Sequence, residues 1–218
     1  MMRAPAPQPT YRLIPSWFPP IGLFDTVSTA ADLGAVMELA GWTNDRQVRE
    51  RVARLPESEW VYGRANASVV MAAFLHAAPG GGRFNGPDLG AWYASAAVPT
   101  AIAEVGHHLR REVLARGVDG MARTYRTYSA RLEGELVDIR GGEPALHAPD
   151  DHAAGQAWGE RLRAEGETGV LYDSVRHRGG INACACRPSR VLAVVQAEHF
   201  EITVRAGERR IEAVRLVA

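Results

Sequence analysis

The sequence predicts an α+β domain, and three observations carry that reading. Helical patterns crowd the first half of the 218 residues and alternating apolar segments crowd the second. Turn signals at Gly134, Gly179-Gly180 and Ala206-Gly207 divide the later segments, as antiparallel strands require. The composition is 46% hydrophobic, with 25 basic residues against 25 acidic ones, which suits a globular chain with a real core. Every basic residue is arginine, so a lone arginine carries less information in this chain than in most. The zero formal charge gives no global pull towards nucleic acid or an anionic membrane. No apolar run reaches the ~20 residues that cross a bilayer, and the Pro-rich start lacks the core of a signal peptide, so a cytoplasmic protein is expected.

In chain order, residues 1–10 are expected to be extended and loosely held, residues 11–60 to form an N-terminal helical extension, and residues 61–218 to form one compact core. Residues 11–24 carry Pro15, Pro19 and Pro20 and read as irregular, pinned by Trp17, Phe18 and Phe24. A capping box at Thr29 and Asp32 opens a helix with Leu33, Val36, Met37 and Ala40 inward, ended by Gly41. A second helix is expected over residues 45–55, closed by Pro56. Residues 67–77 form a dense apolar helix that runs into Gly80-Gly81-Gly82. Residues 91–94 read as a strand after the turn Asn85-Gly86-Pro87.

Then comes a long helix, with Ile102, Val105, Leu109 and Val113 on its inner stripe, ending near Gly117. Residues 121–132 and 136–139 are strands. Asp150 or Asp151 caps a helix carrying Ala154, Ala157, Trp158 and Leu162, closed by Gly166. Residues 169–176, 191–196, 200–204 and 211–216 complete the set as strands. Cys184 and Cys186 share one face of a further strand and read as buried thiols, with a metal pair that includes His177 as the outlying alternative.

Common cofactor fingerprints are missing. The glycine run is followed by Arg83-Phe84-Asn85, which matches neither a dinucleotide-binding loop nor a P-loop, and His107 and His108, as neighbours, are expected to face different directions. What stands out is a cation in a glycine loop, Arg83, an aromatic on the next strand, Tyr93, a carboxylate near a helix start, Glu104, and a distant hydroxyl, Ser174. Each also has an ordinary reading, as a solvated loop charge, a core aromatic, an exposed helix carboxylate and a strand hydroxyl.

Four motifs in fixed order change that balance. They are Gly82-Arg83-Phe84-Asn85, Tyr93-Ala94-Ser95, Ala101-Ile102-Ala103-Glu104 and Tyr172-Asp173-Ser174-Val175-Arg176, set within residues 11–190. In this order they resemble the RES-domain family, named for an arginine, a glutamate and a serine. The resemblance implies an ADP-ribosyltransferase-like fold, with a mixed and antiparallel β core and flanking helices. It implies the toxin of a bacterial toxin–antitoxin pair that consumes NAD without a metal. ADP-ribose would pass to a protein acceptor, phosphate or water, and an Xre-like antitoxin would be the partner.

On this reading Glu104 stabilises the cationic ribose, while Arg83 and the glycine-loop amides grip phosphate. Tyr93 offers a flat face, and the Ser174 hydroxyl positions a ribose or phosphate oxygen. A further upstream arginine is expected, and either Arg12 or Arg64 could supply it, Arg12 by its better-matching surroundings. The family pattern also calls for an acidic residue after the double glycine. Ile181 and Asn182 stand there instead, which puts a role for that turn in doubt and leaves a non-catalytic binding module as the alternative.

Overall fold

A computed structural model describes residues 1–17, 22, 24–29, 32, 50, 51 and 53–217. Among these residues nine strands form one mixed sheet. In chain order they are β1 (Arg3–Pro5), β2 (Thr10–Pro15), β3 (Trp92–Ser95), β4 (Gly120–Leu132), β5 (Glu135–Asp138), β6 (Gly169–Asp173), β7 (Ile181–Ala185), β8 (Val191–Arg205) and β9 (Ile211–Leu216). Their order across the sheet is β1-β5-β6-β7-β3-β2-β4-β8-β9. The pair β5 and β6 runs parallel and the other pairs antiparallel, so the α+β expectation holds. Among the described residues the sheet is flanked by the helices α1 (Ala67–Leu75), α2 (Val98–Arg116) and α3 (Ala153–Ala164).

The two N-terminal strands are a correction. Residues 1–10 include β1, which pairs with β5, and the start of the segment read as irregular is β2, deep in the sheet between β3 and β4. The first residues of the supposed extension therefore belong to the core. Pro5 and Pro15 end their strands, where a missing N–H costs the ladder least, so prolines that signal a loop here punctuate strands. The two expected C-terminal strands over residues 191–196 and 200–204 are one strand, β8, which follows β4 through two register shifts. The expected helix stripe after Asp32 and most of the helix over residues 45–55 lie outside the described residues, although Asp32 N–H does donate to Thr29 Oγ1 (3.1 Å) as a capping box requires.

Local chemistry explains the helices that position the site. For α1, the Asp25 carboxylate accepts the N–H groups of Asn66 (2.9 Å) and Ser68 (2.8 Å), which answers donors that the first turn leaves orphaned. Pro99 in the first turn favours the start of α2, and Gly117 with φ 66° ends it in the left-handed conformation. The inner stripe of α2 packs Leu109 and Val113 with Leu13, Tyr125, Ile202 and Val204 in one cluster. A larger cluster beneath α1 centres on the fully buried Trp92 and Phe74. Each such side chain contributes about 1.5–3 kcal/mol by leaving water. α1 and α2 are thereby fixed to the sheet, and β3 and α2 carry Tyr93 and Glu104.

Candidate functional site

A cleft of about 760 Å³ opens between β2 and β3, the N-terminal half of α2, the glycine loop and the start of α3. That volume falls within the roughly 300–1,000 Å³ usual for small-ligand sites. Arg12, Arg83, Tyr93 and Glu104 all line it. Ser174 and Arg64 do not.

Glu104 is the most fully organised group. Its Oε1 accepts hydrogen bonds from Ser174 Oγ (2.6 Å) and Asn182 Nδ2 (2.7 Å). Asn182 is fixed in turn, because its Oδ1 accepts the Ser95 hydroxyl at 2.7 Å. The Ser174 Oγ accepts the backbone N–H groups of Arg176 (3.2 Å) and His177 (3.0 Å), so its one proton is committed to the carboxylate. Both bonds to Glu104 fall on Oε1, and Oε2 takes neither. Strand pairing explains the arrangement: Ser95 lies opposite Asn182 in β3 and β7, and Asn182 lies opposite Tyr172 in β6, so three strands deliver one polar row to the face of α2.

Two expectations change at this point. Ser174, expected to position a ribose or phosphate oxygen, does not line the cleft and donates its hydroxyl to Glu104 instead. Asn182, whose presence seemed to weaken the case, is 2% exposed and holds the carboxylate. An amide can donate to a carboxylate where an acid would repel it. The period-two alternation Asn182-Cys184 along β7, set against Ser95, is the signal that would have found it.

The glycine loop is built more tightly than its composition suggests. Gly155 and Gly159, one turn apart on α3, lie against the backbone of Arg83 and Phe84, and a Cβ at Gly159 would come within 2.8 Å of Phe84 Cα. From the same helix Gln156 donates to the carbonyls of Gly80 (2.8 Å) and Gly82 (3.0 Å), while Glu160 accepts the Gly86 N–H (2.8 Å). Tyr93 Oη donates to Asn85 Oδ1 (2.7 Å) and accepts the Phe84 N–H (2.8 Å). Burial holds the Tyr93 phenol well above its ordinary pKa, so it stays a donor.

The loop amides are consequently spent. Gly81 N–H goes to Ala78 O (2.8 Å) and Gly82 N–H to Asn85 O (2.9 Å), so these two do not form the anion cradle expected of them. Arg83 itself is 9% exposed, and its Nη1 donates to the carbonyls of Leu146 (3.0 Å) and Ala148 (2.7 Å). It ties the segment after β5 to the cleft wall with one end of its guanidinium.

Of the two candidates for the upstream arginine, Arg12 lines the cleft and Arg64 does not. Arg12 lies 5.0 Å from the Trp92 ring centroid, and its Nη1 donates to Tyr93 O (3.1 Å), while its buried Nε has no partner. Burial pushes the Arg12 guanidinium down to about 10. Arg64 instead donates to Val191 O (2.8 Å) away from the cleft.

The remaining wall is basic. Glu104, His107, His108 and Arg111 follow at i, i+3, i+4 and i+7 along α2, and all four line the cleft. The adjacent histidines therefore do not diverge as expected, and their rings meet edge to face at 5.6 Å. Burial, with the nearby Arg176, His108 and Arg111, pushes His107 down to about 4. His108 and His152 are lowered as well, first by burial. His177, expected to be exposed, is partly buried and bonded to Thr100 Oγ1 (2.8 Å). Cys184 and Cys186 are buried free thiols, and among the described residues no group of three or more His, Cys, Asp or Glu is placed to hold a metal.

The model of the RES domain matches residues 51–205, which contain Arg83, Tyr93, Glu104 and Ser174. The chain belongs to the RES domain family. Within the RES match lies Arg64, which is turned away from the cleft, whereas Arg12 lies before it and lines the cleft. No curated protein matches. Among solved structures, the crystal structure of the M. tuberculosis MbcT–MbcA toxin–antitoxin complex matches with a TM-score of 0.40 and 19% identity, over 55% of this chain and 73% of that one. The RES assignment rests on the family model, and the fold on the sheet and helices described above. Among the described residues no helix is long and apolar enough to cross a membrane.

Proposed function

We propose that this RES-domain chain is the toxin of a bacterial toxin–antitoxin pair and consumes NAD by breaking its nicotinamide–ribose bond. The observation that carries the reading is the carboxylate of Glu104, fixed through Oε1 and facing a cleft that also holds Arg12, Arg83 and Tyr93. When the C1′–N bond breaks, its electron pair leaves with nicotinamide and positive charge grows on the ribose. A carboxylate already in place stabilises that charge more than it stabilises the substrate. An acceptor oxygen then attacks C1′ and gives up its proton, and Oε2, free of the positioning bonds, is the group placed to receive it.

Arg12, half-spent on Tyr93 O, and the free end of Arg83 supply positive charge for the substrate's phosphates. Water, inorganic phosphate or a protein side chain could each serve as acceptor in this chemistry. An Xre-like antitoxin is the partner of this toxin, and the cytoplasm, where NAD is held, is its compartment. The non-catalytic alternative rests on the balanced charge and on the missing acid after Gly180, and Asn182, which stands there, donates to Glu104.

The test is to incubate purified protein with NAD, with and without inorganic phosphate, and to follow nicotinamide release. The reading expects release, and expects growth arrest on expression that disappears with Glu104→Ala. No release under any condition, candidate protein acceptors included, rejects it.

A further inference from the structure

The wall of the cleft around the third and fourth turns of α2 has chemistry that the carboxylate does not use. Arg111 lines the cleft and makes no hydrogen bond or ion pair among the described residues. His107 Nε2 and His152 Nε2 are buried there without partners among the described residues. Arg176 lines the same wall and spends only Nη2, on Pro149 O and Asp150 Oδ1. The nearby carboxylates are engaged, Asp150 with Arg176 (3.3 Å) and Asp151 with the Ala153 N–H (2.9 Å). Leaving buried donors unpaired costs about 1–3 kcal/mol each, a cost that a bound ligand would offset.

We infer that Arg111 and Arg176, flanked by His107 and His152, form a phosphate-binding subsite separate from the Arg83 loop. The charge and geometry agree. Two guanidiniums with free N–H groups are suited to phosphoryl oxygens, and neutral imidazoles add a donor each without the repulsion of further cations. Burial and the neighbouring arginines keep these histidines neutral near pH 7. Arg111 follows Glu104 by seven residues, about 10 Å along the helix at ~1.5 Å per residue. One helix face therefore presents an anion for a sugar cation at one end and cations for phosphate at the other. The amides of Gly81 and Gly82 are closed on their own loop, so this wall adds phosphate donors that those two amides do not supply.

The phosphoryl group could be the diphosphate of the dinucleotide, which rests on the function proposed above, or free inorganic phosphate serving as acceptor. Calorimetric titration of ADP-ribose, adenosine and inorganic phosphate into the parent chain, Arg111→Gln, Arg176→Gln and the double variant tests it. Arg111 is exposed, so its substitution leaves the core intact, and circular dichroism checks each variant.

Each single substitution is expected to weaken ADP-ribose binding about 10- to 100-fold while adenosine binding stays unchanged. Phosphate that competes with ADP-ribose identifies the diphosphate as occupant, and phosphate that binds beside it identifies the acceptor. A double variant that binds ADP-ribose and phosphate as tightly as the parent overturns the subsite, as does a parent that binds neither. Nicotinamide release on the same samples separates the two readings. Arginine-dependent ADP-ribose binding without release rejects the catalytic reading alone, and release with unaltered binding in the double variant rejects the subsite alone.

Discussion

The two ends of the cleft are built on opposite principles. At the Glu104 end the polar groups that hold the carboxylate are answered within the protein, through Ser95, Asn182 and Ser174. At the Arg111 end two buried imidazole nitrogens and the exposed Arg111 guanidinium have no partner among the described residues. A group that must meet a developing charge without rearranging needs its geometry set in advance, which is what a closed network supplies. Donors that recognise a ligand must be free until it arrives. On the proposed function, fixed geometry thus marks where chemistry occurs, and unmet bonding capacity marks where a substrate is held.

The ordered end is broken hardest by Glu104→Gln, which keeps shape and removes charge. Nicotinamide release should fall at least about 100-fold, the scale seen when a transition-state electrostatic group is lost. Product chromatography checks this, and a loss under threefold would place the chemistry elsewhere.

Next comes the scaffold that both ends share. Gly159→Val places side-chain atoms against the Phe84 backbone, and relieving the clash costs about 1–3 kcal/mol. Thermal unfolding should register it as a lower midpoint, with turnover falling as Arg83 shifts.

Asn182→Ala sharpens the contrast, because it removes one bond to Glu104 and leaves the basic end intact. The expected loss is about 10-fold or more in kcat with KM little changed. Asn182→Asp sets a second carboxylate beside Oε1 and should move the acid limb of the pH–rate profile upward. An unshifted profile would argue that Asn182 does not act through Glu104.

The unanswered end leaves a trace in stability. His107 is lowered from 6.5 to about 4, so between those values the unfolded chain binds the proton and the folded chain resists it. Stability contributed by keeping His107 neutral is complete above pH 6.5 and is lost as pH falls towards 4. His107→Asn should flatten the melting temperature against pH within that window. The smallest effect belongs to Arg64→Gln, which touches neither end. It should cost about 1 kcal/mol of stability through the lost bond to Val191 O and leave turnover within about twofold.

Much of this was legible in the sequence. The stripe on α2 and the stop at Gly117 follow from period and glycine alone, and the motifs containing Arg83, Tyr93 and Glu104 meet in one cleft as their order implied. What escaped the sequence depends on pairing between distant strands. Asn182 is unremarkable until β7 sets it opposite Ser95. Residues 197–199 carry no apolar alternation, and β8 runs through them because β4 pairs on either side of the register shift, at Gln196 and His199. Ser174 reads as a ligand until its hydroxyl is seen to have a single proton, already given to Glu104. The row Glu104, His107, His108, Arg111 was visible at helical spacing, yet two adjacent histidines suggested divergence and a wide cleft accepts both.

The sheet order also bears on synthesis. Glu104 is translated some seventy residues before Ser174, and β3 gains its β7 partner later still. A polypeptide emerging from the ribosome therefore carries its carboxylate unclamped until residue 182 has been added. A product released between residues 112 and 173 has Glu104, Arg12, Arg83 and Arg111 but neither of the side chains that bond the carboxylate.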